Sequence, residues 1–319
     1  MTFAKPHPPR AVKDDRARRL FVLLFLLPTL LCFGIFYLYP IATVFFTSFA
    51  KWDYRNVTSP AFYAAGELFT NYRYVLTEYP YFWEAMRNSL LWALIGAVVQ
   101  VPLATLAALS FSRGLKGARF ARNAYIVPNV ISSAALALIF VQLYNPRYGV
   151  VNQLIRLFRP GFTDNVLLVP GLNFVMMTLA YIFFTGTSTI MILGHIMAVP
   201  EQIYEAARID GARGLKLDIL ITIPCIKPIL KTVTVLAVTS GFLLYNEVFF
   251  LTNGAAGTRS VSFIIRELAV TSARTQYARA NTIGLIQILV GMLLILIVNL
   301  LFSIDLSELR AKRRNRRAA

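Results

Sequence analysis

Ile283-Gly284-Leu285-Ile286-Gln287-Ile288-Leu289-Val290-Gly291-Met292-Leu293-Leu294-Ile295-Leu296-Ile297-Val298-Asn299-Leu300-Leu301-Phe302-Ser303-Ile304 runs without a charged side chain. A hydrocarbon layer of roughly 30 Å takes about 20 mostly apolar residues as a helix, so this stretch can cross a membrane. Five further stretches share its character. They are Leu20 to Phe49 (with Pro28, Gly34 and Pro40), Ser89 to Ser110 (with Pro102), Ala124 to Tyr144 (with Pro128), Phe174 to Val199, and Ile226 to Thr252. None alternates apolar and polar residues over about ten positions, as a membrane strand would. The sequence predicts an all-α membrane protein with six transmembrane helices.

Composition agrees. Of 319 residues, 57% are hydrophobic and 15% charged, with mean hydropathy +0.61. A soluble domain carries about 25% charged residues, and a core cannot hide this much apolar side chain. Aromatic residues at 13% exclude a disordered chain. The net charge of +17 is spread between apolar runs and at the two ends, which points to membrane lipid rather than to nucleic acid. Cys32 and Cys225 are too few for a disulfide framework and are expected to be buried small residues.

The first run follows a basic segment, as a signal peptide would. It is too long, however, and no small-x-small cleavage site follows, so it is expected to stay as a helix. Basic residues then set the orientation. The N-terminal tail, residues 1–19, holds Lys5, Arg10, Lys13, Arg16, Arg18 and Arg19. The connection after the second run holds Arg113, Lys116, Arg119 and Arg122, and the one after the fourth holds Arg208, Arg213, Lys216, Lys227 and Lys231. The C-terminal tail, residues 304–319, holds Arg310, Lys312, Arg313, Arg314, Arg316 and Arg317. All fall on one side, which outweighs the other about two to one and should be cytoplasmic, with both termini. Arg259, Arg266, Arg274 and Arg279 run against this bias, between the fifth and sixth runs.

Motifs of catalysis are missing from the sequence. It contains no G-x-x-x-x-G-K-[ST] phosphate loop, no C-x-x-C and no H-E-x-x-H, so neither a catalytic residue nor a metal site is expected. His195, late in the fourth run, reads as a packing or hydrogen-bonding residue. Glu247 is the one carboxylate well inside an apolar run, beside Tyr245 and Asn246. Polar groups at such depth either line a pathway or bond neighbouring helices. Asn173 and Gln287 are weaker candidates for the same path.

Pro200-Glu201-Gln202-Ile203-Tyr204-Glu205-Ala206-Ala207-Arg208-Ile209-Asp210-Gly211-Ala212 has readable local physics. Pro200 suits a first helical position, and Glu201 suits the positive end of the helix dipole. Gly211 is placed to end the helix in the left-handed conformation. Leu215 to Ile223 forms a second short stretch, and Pro224 and Pro228 are expected to break the chain before the fifth membrane helix. Two short cytoplasmic helices joined by a glycine turn result, with small residues that admit a partner.

This segment, with Glu205-Ala206-Ala207, Asp210-Gly211-Ala212 and Ile223-Pro224, resembles the EAA loop of ABC importer permeases. Tyr39-Pro40, Ser48-Phe49, Asn71-Tyr72, Arg87-Asn88-Ser89-Leu90, Leu115-Lys116-Gly117 and Leu251-Thr252-Asn253-Gly254 look like the carbohydrate-uptake branch, in its MalF-like or UgpA-like first permease. The chain departs from that pattern at His195, where small residues are usual, and at Gly254-Ala255-Ala256-Gly257 in place of G-G-P. The resemblance implies an ABC type I transmembrane domain over residues 85–303, with coupling loop 200–224. The first helix (20–49) and an extracytoplasmic loop (50–84) would be accessory. It implies a second, MalG-like permease, two ATPase subunits that carry ATP and Mg, and an extracytoplasmic solute-binding protein, in a bacterial or archaeal cytoplasmic membrane. Tyr204, Glu205, Ala206, Ala207, Asp210 and Gly211 would then dock the ATPase. Tyr245, Asn246, Glu247, Asn173 and Gln287 would face a sugar. A family member moving glycerol phosphate or a polyol stays open. A stand-alone secondary carrier would show matching broken halves, and no internal repeat is visible.

Overall fold

The computed structural model describes residues 15–114, 118–182 and 185–303; the two terminal tails beyond them and Leu115-Lys116-Gly117 lie outside the described residues. Among the described residues, three helices are long and apolar enough to cross a membrane: α1 (Arg18–Thr47), α2 (Phe82–Ser112) and α12 (Tyr277–Ser303). The other three expected spans are helix pairs with a bend. α3 (Ala118–Val130) and α4 (Ser133–Leu143) meet at 104°. α6 (Leu172–Ile182) and α7 (Gly186–Met197) meet at 43°. α9 (Leu215–Cys225) and α10 (Lys227–Phe242) meet at 77°. Between these lie α5 (Val150–Phe158), α8 (Glu201–Ile209) and α11 (Val261–Arg266). One exception to the all-α expectation is a small antiparallel pair, β1 (Ala50–Lys51) with β2 (Ala61–Phe62), in register Ala50 to Phe62.

The prolines do not make the bends. Pro40, Pro102 and Pro224 each follow a π-helical turn that ends two residues earlier, at Leu38, Gln100 and Thr222. A proline in a helix lacks one donor and strikes the carbonyl four residues back. The wider turn shifts the hydrogen-bond register there, and the helix continues. The expected break at Pro224 therefore falls instead at Ile226, whose φ −94° and ψ 8° leave the helical region; Pro228 sits in the first turn of α10.

The core forms where α2 is crossed by α7 and α10, with α12 packed on α10 and α11. Trp92, Phe82, Phe242 and Met177 are its largest fully buried side chains. Glycines allow backbone contact: a Cβ at Gly96 on α2 would stand 2.6 Å from the Ala237 carbonyl oxygen on α10. Gly241 on α10 lies equally tight against the Trp92 backbone. Membrane helices gain no hydrophobic drive from leaving lipid, so close packing and interhelical hydrogen bonds must hold them. Tyr181 Oη supplies one such bond, donating to Ala237 O at 3.1 Å, and Trp92 Nε1 another, to Thr178 Oγ1 at 3.2 Å. By contrast α1 buries none of its apolar window and meets α12 only through its last third. Cys32 is exposed because α1 stands off the bundle, and Cys225 is exposed at the α9–α10 bend, so neither is the buried residue the sequence suggested.

The paired polar signatures are clamps. Asn88 Nδ2 donates to Gly257 O (2.8 Å) and Arg259 O (2.9 Å), and Ser89 Oγ accepts from Val261 N at 3.0 Å. Asn71 Nδ2 donates to Ser48 O and Ala50 O, both at 2.9 Å, while Tyr72 Oη pairs with Ser48 Oγ at 2.7 Å. Asn173 Nδ2 holds Ala256 O at 2.8 Å, where Ala256 adopts φ +52°. Asn88→Leu removes both hydrogen bonds from the exposed Gly257 and half-buried Arg259 carbonyls, at a net cost of about 0.5–1.5 kcal/mol each. The variant should insert normally but be cut by protease within 253–260 faster than the unsubstituted chain, which limited proteolysis in native membranes would read.

Candidate functional site

Two regions concentrate polar groups, one at each functional prediction. The first is the break after α10. The helix ends at Phe242, Leu243 to Tyr245 are not helical, and helix resumes at Asn246. In lipid, an opened backbone needs partners from the protein. Ser262 Oγ, on α11, donates to Leu243 O at 3.3 Å and accepts from Gln287 Nε2 at 2.9 Å. Gln287 thus props the break through Ser262. Asn246 Nδ2 donates to Ser133 Oγ at 2.7 Å, which ties this break to the α3–α4 bend. Ser132 caps α4, accepting from Ala135 N at 3.3 Å. Asn129, just before the bend, accepts from Thr187 N and Oγ1 at 3.4 Å, and Tyr125 Oη pairs with Thr185 Oγ1. Three interrupted spans therefore share one polar junction.

Of the expected path residues, Tyr245, Asn246 and Glu247 lie together at this break, with Glu247 buried. Tyr245 stacks on Phe249 (5.6 Å, 12°). Asn173 lies apart, in the clamp on Ala256. Ser133, Asn129, Tyr125 and Thr187 were not singled out in the sequence; Pro128 was, but it lies inside α3, three residues before the bend at Ile131–Ser132.

The second region is the α8–α9 hairpin. Pro200, with φ −57° and ψ 134°, is extended and precedes the helix by one residue, so Glu201 rather than Pro200 takes the first helical position. Its far end closes as the sequence predicts. Gly211 has φ +81°, Gly211 N donates to Arg208 O (3.1 Å), and Ala212 N donates to Ala207 O (2.9 Å). This pair of bonds is a Schellman cap, which needs the left-handed residue glycine supplies. Glu205, Ala206, Asp210 and Gly211 are exposed, Tyr204 is half-buried, and Ala207 is buried. Ile209 is 86% and Leu215 69% exposed, so the hairpin carries uncovered apolar side chains beside charged ones.

A cavity of about 720 Å³ opens between this hairpin and the ends of α2 and α7, lined by Arg113, Tyr204, Arg208, Arg213 and Asp218. Arg113, ending α2, forms an ion pair with the buried Asp218 of α9. Arg208 pairs with Glu201 across α8 at 3.0 Å, an exposed contact of little energetic weight. His195 Nδ1 lies 3.0 Å from Met191 O, one turn back in α7, as a local hydrogen bond. Breaking the Arg113–Asp218 pair leaves a buried charge, so Arg113→Asp should lower thermal stability and loosen the hairpin. Arg113→Asp combined with Asp218→Arg should recover most of the loss, as thermal unfolding of the detergent-solubilised protein would read.

This bundle has the fold of a chain in a solved ABC transporter. It matches a solved bacterial ABC transporter involved in the import of the acidic polysaccharide alginate, with TM-score 0.76 and 21% identity over 91% of this chain and 97% of the other. In sequence it is 31% identical over 267 residues to the probable ABC transporter permease protein YurN of Bacillus subtilis, covering 81% of this chain and 88% of the relative. It is 27% identical over 314 residues to the arabinooligosaccharides transport system permease protein AraP of Bacillus subtilis, covering 94% and 95%. No protein-family model matches the chain. The chain belongs to the ABC transporter permease family.

Proposed function

We propose that this chain is one of two permease subunits of an ATP-driven importer for sugars or oligosaccharides. The observation that carries the reading is the α8–α9 hairpin: a Schellman-capped helix with exposed apolar residues, at one end of a permease bundle. In this reading Glu205, Ala206, Asp210 and Gly211 face a groove on a separate ATPase subunit, with Ile209 as the apolar anchor. Tyr204 and Ala207 support them from inside the hairpin. ATP and Mg act on that subunit, and this chain supplies no hydrolysis. The saccharide class is supported by AraP, named for arabinooligosaccharides, and by the alginate importer that shares the fold.

Mechanically, Arg113–Asp218 joins the hairpin to α2, and α2 is locked to α10 through Gly96 and Gly241. A displacement of the hairpin is then delivered to the bundle rather than absorbed by a loose loop. The two arrangements of the bundle differ in ATPase contact, so ATP binding elsewhere shifts their populations. The path runs past the α10 break, where Tyr245 and Phe249 offer aromatic faces and Asn246 and Glu247 offer polar groups, as a saccharide needs. The hairpin lies on the cytoplasmic side, with both termini, and an extracytoplasmic binding protein delivers solute to the opposite end. The bare α1 is covered by lipid and by the second permease.

Tagging the chain, solubilising native membranes gently and identifying what co-purifies tests this reading. A second permease and an ATPase are expected, with Ala206→Cys cross-linking to the ATPase. A chain that runs alone, with no ATPase after cross-linking, would bring the stand-alone carrier forward.

A further inference from the structure

Four arginines between the α10 break and the first turn of α12 run against the positive-inside bias, and three of them are accounted for locally. Arg259 faces Glu267 at 3.5 Å and lies over the Tyr81 ring at 3.8 Å. Arg279 lies over Tyr74 at 3.4 Å and donates to Gln276 Oε1 at 2.5 Å. Arg274 is exposed. Arg266 differs. It is half-buried, and among the described residues it has no ion pair. One guanidinium N–H goes to Thr271 Oγ1 at 3.0 Å, which leaves most of its five donors unused.

Its position relates it to the break. Arg266 stands one helical turn beyond Ser262 on α11, and residues four apart share a helix face. Ser262 holds the opened Leu243 carbonyl, so the guanidinium sits on the next rung of the same face. There it lies 4.3 Å from the centre of the Phe249 ring, whose plane stacks on Tyr245. Guanidinium, Phe249 and Tyr245 thus form one contiguous column beside the path.

The geometry points to a subsite for an anionic sugar: Arg266 takes a carboxylate or sulfonate on the transported saccharide while Tyr245, at the open end of the column, takes a sugar ring face. This assignment rests on the path reading above. A half-buried cation with no carboxylate partner gains most from an anion that arrives with the solute, because the reduced dielectric strengthens the pair. The planar fork matches a carboxylate bidentately, and an ammonium does not. The aromatic column fixes the guanidinium plane and presents the neighbouring face for the sugar.

The test uses the whole importer in proteoliposomes with its binding protein, ATP inside, and an equal mixture of uronate trisaccharides and their carboxyl-reduced neutral counterparts outside. Accumulation of each class is read by mass spectrometry. Unsubstituted protein is expected to favour the uronates. Arg266→Gln should cut uronate uptake about tenfold or more while sparing neutral uptake, as loss of a charge-assisted hydrogen bond would. Arg266→Lys, which keeps the charge but not the fork, should fall between. ATPase co-purification with each variant controls for assembly. Tyr245→Ala should lower both classes; if it leaves both unchanged, the path reading itself fails. Equal or preferred uptake of neutral sugars by the unsubstituted protein, uptake of neither class, or an unaltered ratio in Arg266→Gln overturns the anionic subsite while a Tyr245→Ala effect leaves the path standing.

Discussion

Transport by Gly211→Pro is expected to fall to about a hundredth or less of the unsubstituted level, with insertion intact, because a proline ring holds φ near −65°. Gly211 sits at φ +81° and gives its N–H to Arg208 O. Proline can supply neither the angle nor the donor. Without the turn, Ala212 loses its bond to Ala207 O, and α9 no longer leaves α8 in the same direction. The damage is confined to the hairpin, since a Cβ at Gly211 would meet nothing within 4 Å. Gly211→Ala, strained by about 1–2 kcal/mol at positive φ, should keep partial transport. Uptake measured beside a membrane-insertion assay decides it: normal uptake by inserted Gly211→Pro protein counts against the hairpin as the ATPase contact.

Gly241→Ala should give the second large effect, on folding rather than on coupling. Its Cβ would press on the Trp92 carbonyl and the Ala93 amide, which belong to the α2 backbone and cannot swing aside as a side-chain tip could. Overpacking costs about 1–3 kcal/mol in adaptable cores, and a rigid helix crossing stands at the upper end. Gly96→Ala should behave alike. Gly34→Ala, with open space around it, is the control and should change nothing. Thermal unfolding in detergent would rank the three, and equal stability of Gly241→Ala and Gly34→Ala would show that the crossing tolerates separation.

The spans were legible because hydropathy over about 20 residues reports burial in lipid directly. Their bends were not. Prolines 40, 102 and 224 drew attention, yet a π turn precedes each, while α3 runs through Pro128 and the bend beyond it, at Ile131–Ser132, carries only a serine cap. The helix stop at Gly211 was legible because a single residue carries the constraint. Asn88 and Asn71 stood out as a pattern, but their partners are carbonyls, which a sequence does not distinguish from one another. Gln287 was read for the path and lies one hydroxyl from it, supporting the opened backbone. Cys32 was read as buried on its apolar surroundings, and those surroundings are uncovered. Arg266 was visible only as a charge on the unexpected side; its value lies in Phe249 and Ser262, which are adjacent in space alone.

The crossing of Gly96 with Ala237 also has a consequence for biosynthesis. Its two sides lie far apart along the chain, and a ribosome adding about 5–20 residues per second needs roughly 7–30 s to pass from one to the other. During that interval α2 resides in the bilayer with Asn88 and Ser89 still waiting for their partners at residues 257–261. A newly made chain therefore passes through a stage in which its spans are inserted but its bundle is open, and membrane quality-control proteases would meet it there. A substitution at the crossing lengthens that stage, so its first symptom in a cell should be a shorter protein lifetime.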